Sequence, residues 1–203
     1  WGHRNAIFIV LFYLISFFTL LRSFKINKWI SLAGAFAIAF SSYFFIIIAA
    51  SHHGKCTAIT WMTMVLVGFL LIYQKRYGWG SIFTMFFIPM GFFLHPQMGY
   101  YICMLIGILF FAELYIHIKE KRYKDLLLAT LLFAVSFGIG MGIGSANVFA
   151  NQEYAEQTMR GGHTELTKSD KKPTSGNGLD LEYATAWSYG IDETMTFLIP
   201  NYM

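Results

Sequence analysis

A short polar turn between two apolar runs, Ser51–Lys55, carries two histidines and a lysine. A lysine ammonium can pair with a phosphate, and a histidine can transfer a proton near neutral pH. Lys55 could therefore pair with a phosphate at headgroup level, and His52 or His53 could transfer a proton. The adjacent histidines lack the i, i+4 spacing of a helical zinc site, so we predict no metal site here. A polar turn at the membrane surface, without further function, is the alternative.

A second polar turn begins at His95 and contains Gln97, followed by the paired Tyr100 and Tyr101. His95 and Gln97 offer directional hydrogen bonds. The tyrosine rings could stack on a sugar, or they could belong to the aromatic belt that membrane proteins place at the lipid–water interface. The residues alone leave both interpretations open.

The last fifty-odd residues hold a third group of candidates. Arg160 precedes two glycines, which let the backbone approach an anion while the guanidinium grips a phosphate. Trp187 and Tyr189 could form a platform for a carbohydrate. The alternatives are a solvated helix end for Arg160 and simple anchoring of the segment for the two aromatic residues.

The amino-acid composition indicates that the chain is a membrane protein. Of 203 residues, 56% are hydrophobic and 13% charged, whereas soluble domains average about 25% charged residues. This excludes an ordinary cytosolic globule, a disordered chain and a nucleic-acid-binding domain. Two cysteines exclude a multi-cysteine zinc site.

Six apolar runs predict an all-α, polytopic membrane helix bundle of about six transmembrane helices over residues 1–149. A span needs about 20 apolar residues, and the fourth run is short and contains Pro89, so it could cross the membrane or form a re-entrant hairpin. The runs cover residues 5–21, 29–50, 57–73, 80–94, 100–118 and 126–149.

Charge favours six crossings. With six crossings, nine cations share one side and only Arg4 and Lys55 lie in the short segments of the other, which is a positive-inside pattern. Residues 150–203 hold eight of the eleven acidic residues, and we expect them to form a C-terminal extracytoplasmic segment packed on the outer face. The nine cations are Arg22, Lys25, Lys28, Lys75, Arg76, Lys119, Lys121, Arg122 and Lys124.

Several of these motifs together resemble the YfhO family of bacterial membrane proteins, most closely its Bacteroidetes branch. One departure is Ser51-His52, where a Gly-His pair is expected. The chain opens at Trp1 without a Met, and we expect it to be an internal piece of a longer protein. The resemblance is carried by the first turn, by His95-Pro96-Gln97 with Tyr100-Tyr101, by Glu153-Tyr154 with Arg160-Gly161, and by the run from Gly178 to Asn201.

The resemblance implies a GT-C type glycosyltransferase in the bacterial cytoplasmic (inner) membrane. Such an enzyme takes a sugar from a polyprenyl-phosphate donor and transfers it, on the outer side, to a cell-envelope polymer or glycoprotein. The essential acidic residue of its first outer loop would lie upstream of Trp1, and a divalent metal cofactor stays open. The implied roles are phosphate binding by His52, His53, Lys55 and Arg160, sugar or acceptor binding by His95, Gln97, Tyr100, Tyr101, Trp187 and Tyr189, and a catalytic base at Glu153 or Glu193.

Two other functions are compatible with the sequence. A transporter or flippase of a lipid-linked or polar solute would need broken helices and a polar site at mid-membrane. Glu113, the one acidic residue inside a predicted run, stands four residues before His117 near one end of its run, and we interpret this pair as structural. A non-catalytic scaffold of the cell envelope is the third candidate.

Overall fold

The computed structural model describes residues 2–156 and, in the tail, residues 185, 186, 188, 190 and 195. Within 2–156 every regular element is a helix, which confirms the predicted all-α membrane bundle. Most of the predicted C-terminal extracytoplasmic segment lies outside the described residues. The helices are α1 Gly2–Ser23, α2 Lys28–Ala39, α3 Ser42–Ala49, α4 His53–Tyr73, α5 Tyr77–Phe92, α6 Pro96–Lys119 and α7 Tyr123–Glu156.

Five stretches among the described residues are long and apolar enough to cross a membrane. α5 is the exception, because its 16 residues extend only about 24 Å against a hydrocarbon core of about 30 Å. The five stretches are Ala6–Ser23, Lys28–Ala49, His53–Tyr73, Pro96–Lys119 and Tyr123–Asn147.

α5 nevertheless runs antiparallel to α4 along most of its length. A Cβ added at Gly80 would stand 2.8 Å from the backbone nitrogen of Ile72, near the end of α4. One added at Gly91 would stand 3.3 Å from the nitrogen of Met62, in the first half of α4. The glycines let the two backbones approach closely. α5 therefore lies alongside α4 from Ile72 to Met62.

α4 is the central helix of the bundle. Of its candidate span 78% is buried, against 17–22% for the other four. Its Phe69 packs edge-on against Phe133 of α7, with ring centroids 5.1 Å apart. On another face, Tyr13 of α1 is fully buried and donates a hydrogen bond to the carbonyl of Cys56, at 3.0 Å. The outer helices thus expose their apolar side chains to lipid, and α4 holds them in place.

The run predicted at residues 29–50 is broken into α2 and α3. Ser41 leaves the helical region, with φ −66° and ψ 145°, and the amide nitrogen of the same residue bonds the carbonyl of Ile38 instead of continuing the regular pattern. Sharp bends of helices occur at serine pairs, among other sites, and Ser41-Ser42 is such a pair. The hydropathy of the sequence does not predict this break, because the residues on both sides of it are apolar.

The basic turns meet at one end of the bundle, which we call the basic end. The Gln74 side chain donates to the carbonyl of Ser23 at 2.6 Å, joining the ends of α4 and α1. Lys75 pairs with Asp125 at 2.7 Å, joining the α4–α5 turn to the start of α7. The two histidine turns lie at the other end of α4 and α5, which we call the histidine end. This arrangement is the one that the charge count predicts.

Candidate functional site

The two histidine turns touch each other at the histidine end. A Cβ added at Gly54 would stand 3.4 Å from the carbonyl oxygen of Leu94. Gly54 follows His53, and Leu94 precedes His95. Two turns that are more than forty residues apart in sequence are therefore joined by a backbone contact next to both histidines.

Both of these histidines keep a buried polar atom without a partner. The Nδ1 atoms of His53 and His95 are inaccessible to solvent and have no hydrogen-bond partner among the residues that the structure describes. Buried polar atoms nearly always have a partner, and a missing one costs free energy. Because the two atoms occur in adjoining turns, we take this pair as the centre of the candidate site.

The local sequence explains why each histidine stands at a helix start. His53 is the first residue of α4. His95 is the N-cap of α6, and Pro96 occupies the first helical position, where its missing N–H is no loss. The His95 carbonyl accepts from the amide of Met98 at 3.0 Å. Two helix N-termini thus point to this end of the bundle, and their free N–H groups favour an anion there.

Next to the pair lies a hydrogen bond along α6. Gln97 donates through Nε2 to the hydroxyl of Tyr101, at 2.8 Å. The Tyr101 side chain is half exposed, and that of Tyr100 is 67% exposed. Tyr100 also packs against Phe92 of α5, with ring centroids 6.2 Å apart. The Gln97–Tyr101 bond fixes the direction of both side chains at the rim of the site.

Lys55 points elsewhere. Its Nζ lies 5.6 Å from the centroid of the Tyr43 ring on α3, and the residue is half-buried. Residues two apart on a helix face nearly opposite directions, so Lys55 and His53 do not share a face of α4. His52 is exposed and caps α4 without a side-chain hydrogen bond. The structure therefore brings together the residues around His53 and His95, but not the whole predicted phosphate group.

An apolar cavity of about 300 Å³ opens between α1, α4 and α6. Its lining begins at Met98 and Tyr101, within the first two turns of α6, and continues to Leu105. The one other polar side chain in the lining is Thr63, whose hydroxyl donates to the Ile59 carbonyl at 2.8 Å. The cavity is lined by Phe17, Leu20, Ile59, Met62, Thr63, Leu66, Met98, Tyr101, Ile102 and Leu105.

No sequence pattern predicts this cavity. Its walls consist of common apolar residues from three helices, and only their packing distinguishes them from neighbours that face lipid. The contact between Gly54 and Leu94 was missed for the same reason. The usable sequence signal was the charge pattern, because it assigns both histidine turns to the same side.

Several predicted site residues lie outside the described residues. These are Arg160, Trp187, Tyr189 and Glu193. Glu153 is described and is exposed near the end of α7, in a second unit that comprises residues 148–203. Within the described part of the chain, no three histidine, cysteine, aspartate or glutamate residues are grouped so that they could hold a metal ion.

Comparison with known families shows which family the chain belongs to. The family described as the YfdI N-terminal transmembrane domain matches residues 4–183. The chain belongs to this family. No curated protein and no solved structure matches it. Membership in the YfdI family establishes a multi-pass membrane domain, which is the coarser part of what the resemblance to the YfhO family implies.

Proposed function

We propose that this YfdI-family domain binds a polyprenyl-phosphate-linked sugar at the histidine end and takes part in its transfer to a cell-envelope acceptor. One observation carries the proposal: the unpartnered Nδ1 atoms of His53 and His95 lie at the histidine end, where an apolar cavity begins one to two turns below His95. A lipid-linked donor would fit both features, because it consists of a polar phosphate joined to an apolar chain.

The phosphate would supply the partners that the two imidazoles lack. Each Nδ1–H can donate to a phosphate oxygen, and hydrogen bonds to an anion are stronger than neutral ones. The N-termini of α4 and α6 add favourable potential at this point. Lys55, Arg160 and His52 remain proposed as further phosphate-binding residues of the chain.

The apolar chain would enter the cavity. A cavity of about 150 Å³ holds a benzene molecule, so a cavity of about 300 Å³ holds roughly two five-carbon units of one chain. The rest of the chain would lie in the bilayer. Gln97, Tyr100 and Tyr101 stand at the rim, where they would contact the sugar or the acceptor with His95. Trp187 and Tyr189 remain proposed as further residues that bind the sugar or the acceptor.

Transfer in this scheme breaks the bond between the anomeric carbon and the phosphate oxygen. An acceptor hydroxyl forms the new bond to that carbon, and its proton passes to a carboxylate base. Polyprenyl phosphate leaves with the negative charge that the histidines and cations stabilise. Glu153 and Glu193 are the proposed bases within the chain.

The proposal places the basic end in the cytoplasm and the histidine end outside the bacterial inner membrane. Nine lysines and arginines lie in the turns and flanks of the basic end, and two lie in the short segments of the other side. Such asymmetry sets the orientation of membrane proteins. Residues 150–203 would then be extracytoplasmic, with access to the envelope.

A transporter or flippase is the second candidate, and the break between α2 and α3 favours it, because discontinuous helices form the binding sites of many transporters. The break offers only the hydroxyls of Ser41 and Ser42. Glu113 belongs to the basic end instead, where its Oε2 lies 3.4 Å from Nδ1 of His117. A scaffold without any ligand is the third candidate.

The test uses membranes that contain the full-length protein and a polyprenyl-phosphate-linked radioactive sugar. We expect label to move from the lipid fraction to the envelope fraction, and His53→Phe with His95→Phe to reduce this transfer at least tenfold. Lys55→Ala should also reduce it, whereas Lys124→Ala, a matched lysine at the basic end, should not. Full transfer by the double phenylalanine variant would refute the site, and flipping of the donor without transfer would favour the transporter.

A further inference from the structure

Three turns at the basic end share one unusual backbone feature. Lys25, Lys75 and Lys121 follow the ends of α1, α4 and α6, and their φ angles are 62°, 66° and 57°. In each turn the next residue donates from its amide to a carbonyl five positions back, as Arg76 does to Leu71 at 2.8 Å. This is the Schellman motif, whose left-handed position is usually occupied by glycine.

A lysine is a strained choice at this position. The left-handed conformation brings Cβ close to a backbone oxygen. Glycine has no Cβ and adopts it readily, and asparagine and aspartate adopt it at a lower cost than other residues. What lysine offers instead is its charge, which is favourable beside the carbonyl groups at a helix C-terminus. Ser51, at the histidine end, is the remaining non-glycine residue with positive φ in the described part of the chain.

The three lysine turns lie around the end of α4. The bond from Gln74 to Ser23 joins the first two turns. The ring of Tyr73 packs edge-on against His117, two residues before α6 ends, with ring centroids 6.0 Å apart. Lys75 pairs with Asp125 yet remains 53% exposed.

These charges are only partly neutralised. Lys25 and Lys121 form no ion pair with any described residue. Against nine cations, the acidic residues of this end are Glu113, Glu120 and Asp125.

Aromatic side chains beside two neighbouring lysines locate the basic end at the depth of lipid headgroups. Trp29 is 68% exposed and lies under the Lys28 ammonium at 5.3 Å. Tyr115 is equally exposed and lies 6.0 Å from the Lys119 ammonium. Exposed tryptophan and tyrosine of membrane proteins concentrate at the interface between hydrocarbon and headgroups. Cations at this depth face the phosphates of the adjacent leaflet.

We infer that Lys25, Lys75 and Lys121 form a binding site for an anionic phospholipid headgroup at the basic end. The strained backbone of each turn presents an ammonium group where a glycine would present none. The site is independent of the proposed donor site, because it lies at the opposite end of the bundle. Its ligand is a structural lipid of the leaflet that faces the basic end.

The experiment compares thermal unfolding of the full-length protein in phosphatidylcholine nanodiscs with and without phosphatidylglycerol. We expect phosphatidylglycerol to raise the melting temperature, and each Lys→Asn change at the three positions to remove roughly 2–4 °C of that rise. Asparagine tolerates the left-handed conformation, so the backbone is kept. Because Lys75→Asn also breaks an ion pair, the readout is the difference between the two lipids for each variant.

Two controls make the result decisive. Ser51→Asn places asparagine at the corresponding left-handed position of a turn at the histidine end and should leave the lipid-dependent rise intact. A triple Lys→Arg variant should also retain the rise. A full rise in the triple Lys→Asn variant would overturn the inference. An equal rise with inorganic phosphate in place of the lipid would also overturn it, since the ligand would then be a free anion. Binding of polyprenyl phosphate by the same variants should be unchanged.

Discussion

Gly54 and Leu94 are in backbone contact, with 3.4 Å between the Leu94 carbonyl oxygen and the position of a Cβ at residue 54. This contact joins the start of α4 to the turn that begins α6. It explains how the turns that carry His53 and His95 lie next to each other although they are far apart in sequence. Each of the two histidines has a buried Nδ1 atom without a partner among the described residues.

Filling the cavity should weaken donor binding without unfolding the protein. Leu105 lines the cavity, so Leu105→Trp should exclude part of the polyprenyl chain from it. Each methylene group of the lipid that is no longer buried costs roughly 0.8 kcal/mol of binding free energy. The affinity for polyprenyl phosphate should therefore fall about tenfold. Ile108, on the same helix, is 66% exposed, and Ile108→Trp is the matched control. Binding to nanodisc-embedded protein measures both. Equal affinities of the two variants would argue against a chain in the cavity.

The strain at Ser51 should be measurable. Its φ of 61° lies in the left-handed region, which costs a non-glycine residue roughly 1–2 kcal/mol. Ser51→Gly should therefore raise the free energy of unfolding by about 1 kcal/mol, part of the gain being lost to the greater freedom of glycine in the unfolded chain. Ser51→Ala keeps the strain and should not stabilise. Thermal unfolding in detergent distinguishes the two variants.

Close packing of α4 on α5 depends on Gly68. A Cβ there would stand 2.9 Å from the Thr84 nitrogen and 3.0 Å from the Gly80 oxygen, both backbone atoms that cannot move freely. Gly68→Ala should destabilise the protein by about 1–3 kcal/mol. Gly107, in α6, has nothing within 4 Å of its Cβ position, so Gly107→Ala should be neutral or slightly stabilising. A neutral Gly68→Ala would contradict the packing described for α4 and α5.

The orientation of the bundle can be tested by labelling single cysteines in intact cells. The proposed topology predicts that a membrane-impermeant thiol reagent labels Gln97→Cys, at the exposed histidine end, and not Arg76→Cys or Lys121→Cys. Permeabilised cells provide the control, since all three positions should then react. Labelling of the basic end alone would reverse the topology and remove the envelope acceptor from the proposal.

Hydropathy located the apolar part of each helix well but not its ends. α4 begins at His53 instead of residue 57, and α6 begins at Pro96 instead of residue 100, because the first helical turn at this end is polar. α7 continues through Glu156 beyond the predicted limit of 149, since a helix leaving the apolar region need not stop there. The break at Ser41 also carries no hydropathy signal.

The candidate site was predictable only in part. The charge pattern of the basic turns placed both histidine turns at one end, which the contact between Gly54 and Leu94 bears out. It could not show which of the adjacent histidines is buried, nor that Lys55 extends towards Tyr43, because these depend on helix rotation and side-chain packing. Ser51 is instructive in another way, since its positive φ gives a physical reason for the glycine expected at that position.

Binding of undecaprenyl phosphate to the purified full-length protein tests the central claim most directly, with wild type compared with His53→Phe and His95→Phe in nanodiscs. Phenylalanine fills nearly the same space and removes the unpartnered Nδ1 atom, so each variant should be as stable as wild type or more stable. The account predicts that affinity falls at least tenfold in each variant while the melting temperature is kept. Undiminished affinity in both stable variants would contradict it.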